Sequence, residues 1–296
     1  MQQKDRTLPI LVWMTGLTLV LNVHILAQVI RNPVVEKIAE GFSFVEGPLW
    51  IDELGLLFSD IPENRIYLYS TDSVVSIYLD PSGNSNGLAL DHERKLLLAQ
   101  HGNRQLARKE DNNTITSLAS HYDGMRLNSP NDLTVKSDGS VFFTDPPYGI
   151  NTDQEELGFS GIYRLDPAGN LKLLDKSLAR PNGIVFSPDE KILYVNDSET
   201  RKIYQWDVMN DSTITNRQLF GFMSPPGNAD GMKVDEEGFL YVTGPIGVWI
   251  FDSDGTPFDT IPVPGQTTNC GWGDKDGSTL YVTSGSALYR IRDKNQ

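Results

Sequence analysis

Short apolar runs recur along the chain at a nearly constant spacing. Leu56-Leu57-Phe58, Leu96-Leu97-Leu98, Val141-Phe142-Phe143, Leu193-Tyr194-Val195, Leu240-Tyr241-Val242 and Leu280-Tyr281-Val282 are rich in the bulky residues that favour strands. Each is followed by a second run: Ile66-Tyr67-Leu68, Gln105-Leu106-Ala107, Ile162-Tyr163-Arg164, Ile203-Tyr204-Gln205, Val248-Trp249-Ile250 and Leu288-Tyr289-Arg290. Turns rich in Asp and Gly, such as Ser137-Asp138-Gly139 and Lys275-Asp276-Gly277, precede most of the first set. Alternation with such punctuation predicts antiparallel meanders.

Upstream of each pair lies a further strand opened by one polar residue. The openings are Glu46, Asn86, Asn131, Asn182, Asp230 and Asn269, at intervals of 40, 45, 51, 48 and 39 residues. Repeats of this length with three or four strands each predict an all-β fold, a six-bladed β-propeller. The sixth repeat ends at Ile291 without an outer strand, whereas Val34-Val35-Glu36-Lys37-Ile38 has no repeat before it. The N-terminal strand is therefore expected to complete the last blade and close the ring, covering an exposed edge.

The segment before the repeats has a different pattern. Lys4 and Arg6 precede an apolar stretch from Leu8 to Ala27. That reads as a secretory signal peptide over residues 1–27, with an uncleaved membrane anchor as the alternative. Residues 28–296 then form one exported domain, periplasmic or secreted.

Composition narrows the partners. The 296 residues carry 39 acidic and 25 basic side chains, a formal charge of −14, which repels nucleic acid and anionic membranes. Hydrophobic residues make up 39%, enough for a packed core. A single cysteine, Cys270, excludes an intramolecular disulfide and any multi-cysteine metal site. Oligomeric state is not legible.

In a propeller the innermost strands line a central channel, so the six openings converge on the axis. Asn-Gly and Asp-Gly pairs such as Asn86-Gly87, Asn182-Gly183 and Asp230-Gly231 are also ordinary turn sequences. Glu46 does not fit that explanation. Two facing carboxylates near 4 Å would cost about 4 kcal/mol at an effective dielectric of 20. A divalent cation removes that cost. Glu46 and Asp230 supply charge, and Asn131 and Asn182 supply amide oxygens, a donor set suited to Ca²⁺, Mg²⁺ or Mn²⁺.

Several segments in order carry a family resemblance: Phe44-Val45-Glu46-Gly47-Pro48-Leu49-Trp50, Arg126-Leu127-Asn128-Ser129-Pro130-Asn131-Asp132-Leu133, Thr144-Asp145-Pro146-Pro147-Tyr148-Gly149, Arg180-Pro181-Asn182-Gly183 and Asp230-Gly231-Met232. From about residue 34 onward the chain resembles the gluconolactonase and regucalcin (senescence marker protein) family. The resemblance implies a propeller with one divalent metal in its channel, held by Glu46, Asn182 and Asp230, and a substrate-site Asn131 that touches the metal directly or through water. Ca²⁺ is the favoured cation, ahead of Mg²⁺, Mn²⁺ or Zn²⁺. Ser129 stands where animal members place a sugar-binding Arg, and Arg126 is shifted from that place. His101-Gly102-Asn103-Arg104 and Pro146-Pro147-Tyr148 are closer to bacterial gluconolactonases.

The expected activity is hydrolysis of a sugar lactone, with Asp230 as general base and ligand. Asn131, Arg126, His101 and Tyr148 are candidates to bind the substrate. The competing functions are a related metal-dependent esterase or organophosphate hydrolase, and a non-catalytic ligand-binding propeller. Two further patterns are set aside. Gly83-Asn84-Ser85-Asn86-Gly87 matches a hydrolase elbow but leads into a blade strand. Asp252-Ser253-Asp254-Gly255 resembles the start of a calcium loop but reads as a hairpin turn.

Overall fold

A computed structural model describes residues 30–294. The segment expected to be a signal peptide lies outside the described residues. Strand alternation produces six four-stranded antiparallel sheets and one two-residue ribbon. The sheets are six propeller blades, spanning 45–79, 85–119, 133–175, 181–222, 232–262 and 267–293. Chain order within the first five blades runs from the innermost strand outward. The only helical element among the described residues is a single 3-10 turn, Thr152–Gln154. No helix of the described residues is long and apolar enough to cross a membrane.

The last blade is completed as the sequence implies. Pro33–Glu40 pairs antiparallel with Ala287–Asp293, Val35 opposite Ile291 and Lys37 opposite Tyr289. Glu36 accepts from Arg290 Nε at 2.7 Å across the same seam. Ile30, 1% exposed, packs into the cluster that joins the fifth and sixth blades.

Blades are held to one another by apolar faces, as two twisted sheets pack. Leu57 and Ile66 of blade one meet Leu88, Leu96 and Leu98 of blade two. Phe142 and Phe186 pack edge to face at 4.9 Å between blades three and four, and Trp50 stacks on Tyr281 at 5.5 Å between blades one and six.

Around the channel, each blade also donates a hydrogen bond to a backbone carbonyl of the next. Ser59 Oγ reaches Asn86 O at 2.8 Å, Gly87 N reaches Asn131 O at 2.8 Å, and Thr144 Oγ1 reaches Asn182 O at 2.7 Å. Asn196 Nδ2 donates to Asp230 O, Thr243 Oγ1 to Thr268 O at 2.8 Å, and Thr268 Oγ1 to Val45 O at 2.7 Å. Buried carbonyls need such partners, and here satisfying them fixes the relative height of the blades.

Candidate active site

Those latches define one level on the axis. Glu46, Asn86 and Asn182 are second residues of their innermost strands, Val45–Ile51, Ser85–Leu90 and Pro181–Phe186. Asn131 and Asp230 stand just ahead of the shorter strands Leu133–Val135 and Met232–Val234. The structure departs from the sequence reading in blade six. Thr268, not Asn269, is the second residue of Thr267–Gly273, and Thr267 pairs with Ser284 as Val45 pairs with Asp60. Asn269 is one step deeper.

The glycines after the openings are not turn glycines. A Cβ on Gly47 would lie 2.2 Å from Asn86 O, and one on Gly183 would lie 2.4 Å from Asp230 O. They let the next blade's backbone pass against the innermost strand. Asn86-Gly87 and Asn182-Gly183 thus belong to irregular points inside the channel strands, where the register slips between Ser85 and Leu88 and between Pro181 and Ile184.

A cavity of about 700 Å³ opens above this level. Glu46, Asn86, Asn131, Asn182 and Asp230 form its floor, with His101, Tyr148 and Ser198 on the wall. Glu46, Asn86, Asn131 and Asn182 are each buried, and Asp230 is the more exposed of the two floor carboxylates. Glu46 Oε2 accepts from Gly47 N at 3.0 Å. Burial and the nearby Asp132 carboxylate push the Glu46 carboxyl up to about 8. Desolvation and then Glu46 itself push Asp230 up, opposed by a hydrogen bond from the Asn182 side chain. Burial and the neighbouring carboxylates outweigh these hydrogen bonds and favour the neutral acids.

His101 lies against Asn86, with Asn86 Nδ2 3.3 Å from His101 Nε2. Burial lowers its pKa to about 4, so the ring is neutral at neutral pH. With the amide donating to Nε2, the ring proton sits on Nδ1. Asn86 Oδ1 is left buried without a partner. Burial raises the pKa of the Tyr148 hydroxyl, and Arg180 covers its ring at 5.3 Å. Gly149 is needed beside it, because a Cβ there would lie 2.8 Å from His101 Cβ and 2.9 Å from Ser129 Oγ.

Arg126 is not brought to this cavity. It belongs to the ribbon His121–Tyr122 with Met125–Arg126, where its Nη2 donates to Asn103 O at 3.2 Å and its backbone N to Glu156 Oε2 at 2.8 Å. The arginine that supports the loop leading to Asn131 is Arg104, whose Nε donates to Leu127 O at 2.7 Å and Asn128 O at 3.2 Å.

Two groups of supporting carboxylates escaped the sequence reading. Asp132 occupies the place that glycine takes in blades one, two, four and five, and is 2% exposed. It sits below the floor, bonded by Leu133 N at 2.9 Å and 3.5 Å from Asn269 Nδ2, with Lys233 nearby. Asp60, Asp145 and Asp197 end the second strands of blades one, three and four. Each accepts backbone N–H bonds from the loop entering its blade: Ser43 at 2.8 Å, Asn128 at 2.8 Å and Arg180 at 3.1 Å. Their repeated Ser/Thr/Asn-Asp dipeptides were the available signal.

The patterns set aside are structural. Ser85 Oγ donates to Ser82 O at 2.7 Å inside blade two, and Asp252 Oδ1 accepts from Asp254 N and Thr256 N within a hairpin turn. Cys270 is buried and unpaired, its thiol pushed up to about 12 by burial.

Comparison with known proteins gives this geometry a context. Residues 44–286 match the SMP-30/gluconolactonase/LRE-like region. The chain belongs to that family. A gluconolactonase from Zymomonas mobilis is 35% identical over 290 residues, covering 88% of this chain and 81% of the relative. A gluconolactonase structure from Xanthomonas campestris superposes with a TM-score of 0.83 at 34% identity, over 89% of this chain and 90% of the other. A regucalcin described as a calcium-binding protein, from Agrobacterium tumefaciens, shares the fold with a TM-score of 0.75 at 21% identity, over 87% and 93% of the two chains. The family's matched region runs from the Phe44 loop into the sixth blade and so includes every floor residue.

Whether the family's channel could hold a cation here is decided by the donor chemistry. Among the described residues no group of three or more His, Cys, Asp or Glu side chains gathers as a metal cluster. A cation would therefore rely on the Glu46 and Asp230 carboxylates together with amide oxygens of Asn131 and Asn182. Two buried-site carboxylates whose proton affinities are both raised, beside an unpartnered buried amide oxygen on Asn86, fit a hard divalent ion.

Proposed function

We propose that this propeller hydrolyses a sugar lactone to the aldonic acid, with a divalent cation, calcium in preference, held by Glu46, Asn182, Asp230 and Asn131. The observation that carries the reading is the meeting of Glu46 and Asp230 with Asn131 and Asn182 on the floor of one cavity. Membership in a family that includes the Zymomonas and Xanthomonas gluconolactonases supports the substrate class.

In the reaction, water oxygen bonds to the acyl carbon, the ring C–O bond breaks, and the ring oxygen leaves as a hydroxyl after taking a proton. Bound cation would supply charge stabilisation for oxygen as the carbonyl is attacked. Asp230, the more accessible floor carboxylate, accepts the proton from the attacking water and returns it to the ring oxygen. Glu46 is more enclosed and fixed by Gly47 N, which suits it to holding charge rather than moving protons. Asn131 and the neutral His101 imidazole offer hydrogen bonds to lactone hydroxyls or carbonyl, and Tyr148 closes the wall above them.

The test is a panel of aldonolactones and organophosphate esters assayed with and without Ca²⁺, Mn²⁺ and Zn²⁺. Turnover of aldonolactones alone supports the reading; preference for phosphate esters would replace it. The same reading places the domain outside the cytoplasm, on the pattern of residues 1–27. N-terminal sequencing of the protein recovered from periplasm or medium tests that assignment, and a cytoplasmic protein beginning at Met1 would reject it.

A further inference from the structure

The cavity is divided by blade. Blades two to four contribute polar groups, namely His101, Asn131, Tyr148, Asn182 and Ser198. Above the floor the opposite side is mainly apolar, with Asn228 and Gln266 among its polar members. Phe44 precedes blade one and Ile61 and Pro62 join its second and third strands, while Pro226 leads into blade five and Pro245 and Ile246 form one of its turns. Between these two apolar flanks runs the narrow entry to blade six, Gly265-Gln266-Thr267. The hydroxyls around the rim of a sugar lactone find few hydrogen-bond partners on such a wall.

Ile246 is the most informative residue on that side. It occupies the second position of the two-residue turn Pro245-Ile246 that joins Leu240–Gly244 to Gly247–Phe251. Its φ is +79°, and it is 61% exposed. Pro followed by a residue with positive φ is the signature of a turn that favours Gly or Asn at the second place. A β-branched residue there is a genuine outlier. Burial does not explain a β-branched residue there, because Ile246 is exposed and lines the cavity.

The turn is held in this shape from several directions. Trp249 Nε1 donates to Pro245 O at 2.8 Å, and Val263 N donates to Ile246 O at 3.0 Å. Gly247 lies so close that a Cβ would sit 2.0 Å from Ile261 O. Strain kept in place by its surroundings at the edge of a site points to a use for the residue.

The geometry points to a lactone that carries an apolar substituent: the ring on the polar floor, and an alkyl or aryl group in the groove between Ile246 and the Phe44-Ile61-Pro62 flank. This rests on the lactonase reading and narrows its substrate class. The cavity volume of about 700 Å³ agrees, since sites of roughly 300–1,000 Å³ enclose ligands larger than one sugar ring.

The experiment compares wild type with Ile246→Gly and Ile246→Asn, both of which the turn accepts, and with Ile246→Val, which keeps the apolar surface. The first readout is the ratio of kcat/KM for an alkyl-substituted lactone to that for the unsubstituted ring. The second is calorimetric affinity for the matching alkyl lactam. Gly and Asn should lower the ratio and the lactam affinity about tenfold or more, Val should keep both, and the Gly protein should melt higher than wild type as the strain is released. An unchanged ratio and lactam affinity in both Gly and Asn would overturn the assignment. So would a change in sedimentation without a change in lactam affinity, which would assign Ile246 to a contact between copies. If wild type hydrolyses no lactone, the lactonase reading fails, and lactam binding still decides the role of Ile246.

Discussion

The hydroxyl of Thr243 donates to the backbone carbonyl of Thr268 at 2.8 Å. That bond fixes the height at which blade six enters the channel, so Thr268 stands level with Asp230. Asn269 drops one step, where its Nδ2 lies 3.5 Å from Asp132 Oδ2 and its amide helps hold the Glu46 proton affinity down. The floor therefore rests on a lower tier of Asp132, Asn269 and Lys233. Groups in such a tier orient and charge the residues above them.

A first prediction concerns that tier. Asp132→Asn keeps the shape but removes one negative charge beneath Glu46. Calcium affinity measured by titration calorimetry should fall by roughly ten- to a hundredfold, while the far-ultraviolet spectrum stays unchanged. Unaltered affinity would make Asp132 purely a packing residue.

The two floor carboxylates should separate by role. Asp230→Asn is expected to lower kcat by about 10²–10⁴ in a protein that still folds. Glu46→Gln should act chiefly through the cation, with turnover partly recovered at high calcium. Equal loss in both variants, with no calcium rescue of Glu46→Gln, would contradict that division.

Asp145 gives a pH prediction away from the floor. Burial raises its carboxyl from 3.8 to about 7. The folded protein thus keeps this proton to higher pH than the unfolded chain does. Its contribution favours folding below about pH 4 and is lost as pH rises through about 7. Asp145→Asn should flatten the slope of stability between those limits by up to about 1.4 kcal/mol per pH unit. Denaturant unfolding of both proteins from pH 4 to 8 measures it; parallel slopes would contradict the prediction.

Ring closure is also open to test. Deleting residues through Glu40 removes the outer strand of blade six and the buried Ile30 side chain. Loss of that one side chain is worth roughly 2–5 kcal/mol, before the lost strand pairing is counted. Urea unfolding should show at least that decrease, and equal midpoints would mean that the strand contributes nothing to closure.

The ring itself was legible because each blade repeats the same apolar alternation, and Val34–Ile38 was left over as the strand blade six lacked. Glu46, Asn131, Asn182 and Asp230 could be brought together from sequence because equivalent places in a propeller share an axis. Blade six shows where that logic stops. Asn269 looks like the other openings, but the register slip between Thr267 and Asn269 moves it down by one. Arg126 misled for a related reason: the ribbon that carries it turns its guanidinium toward Asn103 O, an arrangement set by tertiary packing. Asp132 was hidden by its neighbour Asn131, and the strained turn at Ile246 has no sequence mark beyond a Pro before it and a Gly after it.

The central claim is that Glu46 and Asp230 work through a cation to open a sugar lactone. Its most direct measurement is aldonolactone hydrolysis by chelator-stripped protein, before and after calcium is returned. Activity should fall to the uncatalysed rate on stripping and come back with calcium in wild type but not in Asp230→Asn. Full lactone hydrolysis by the stripped, metal-free protein would contradict the account.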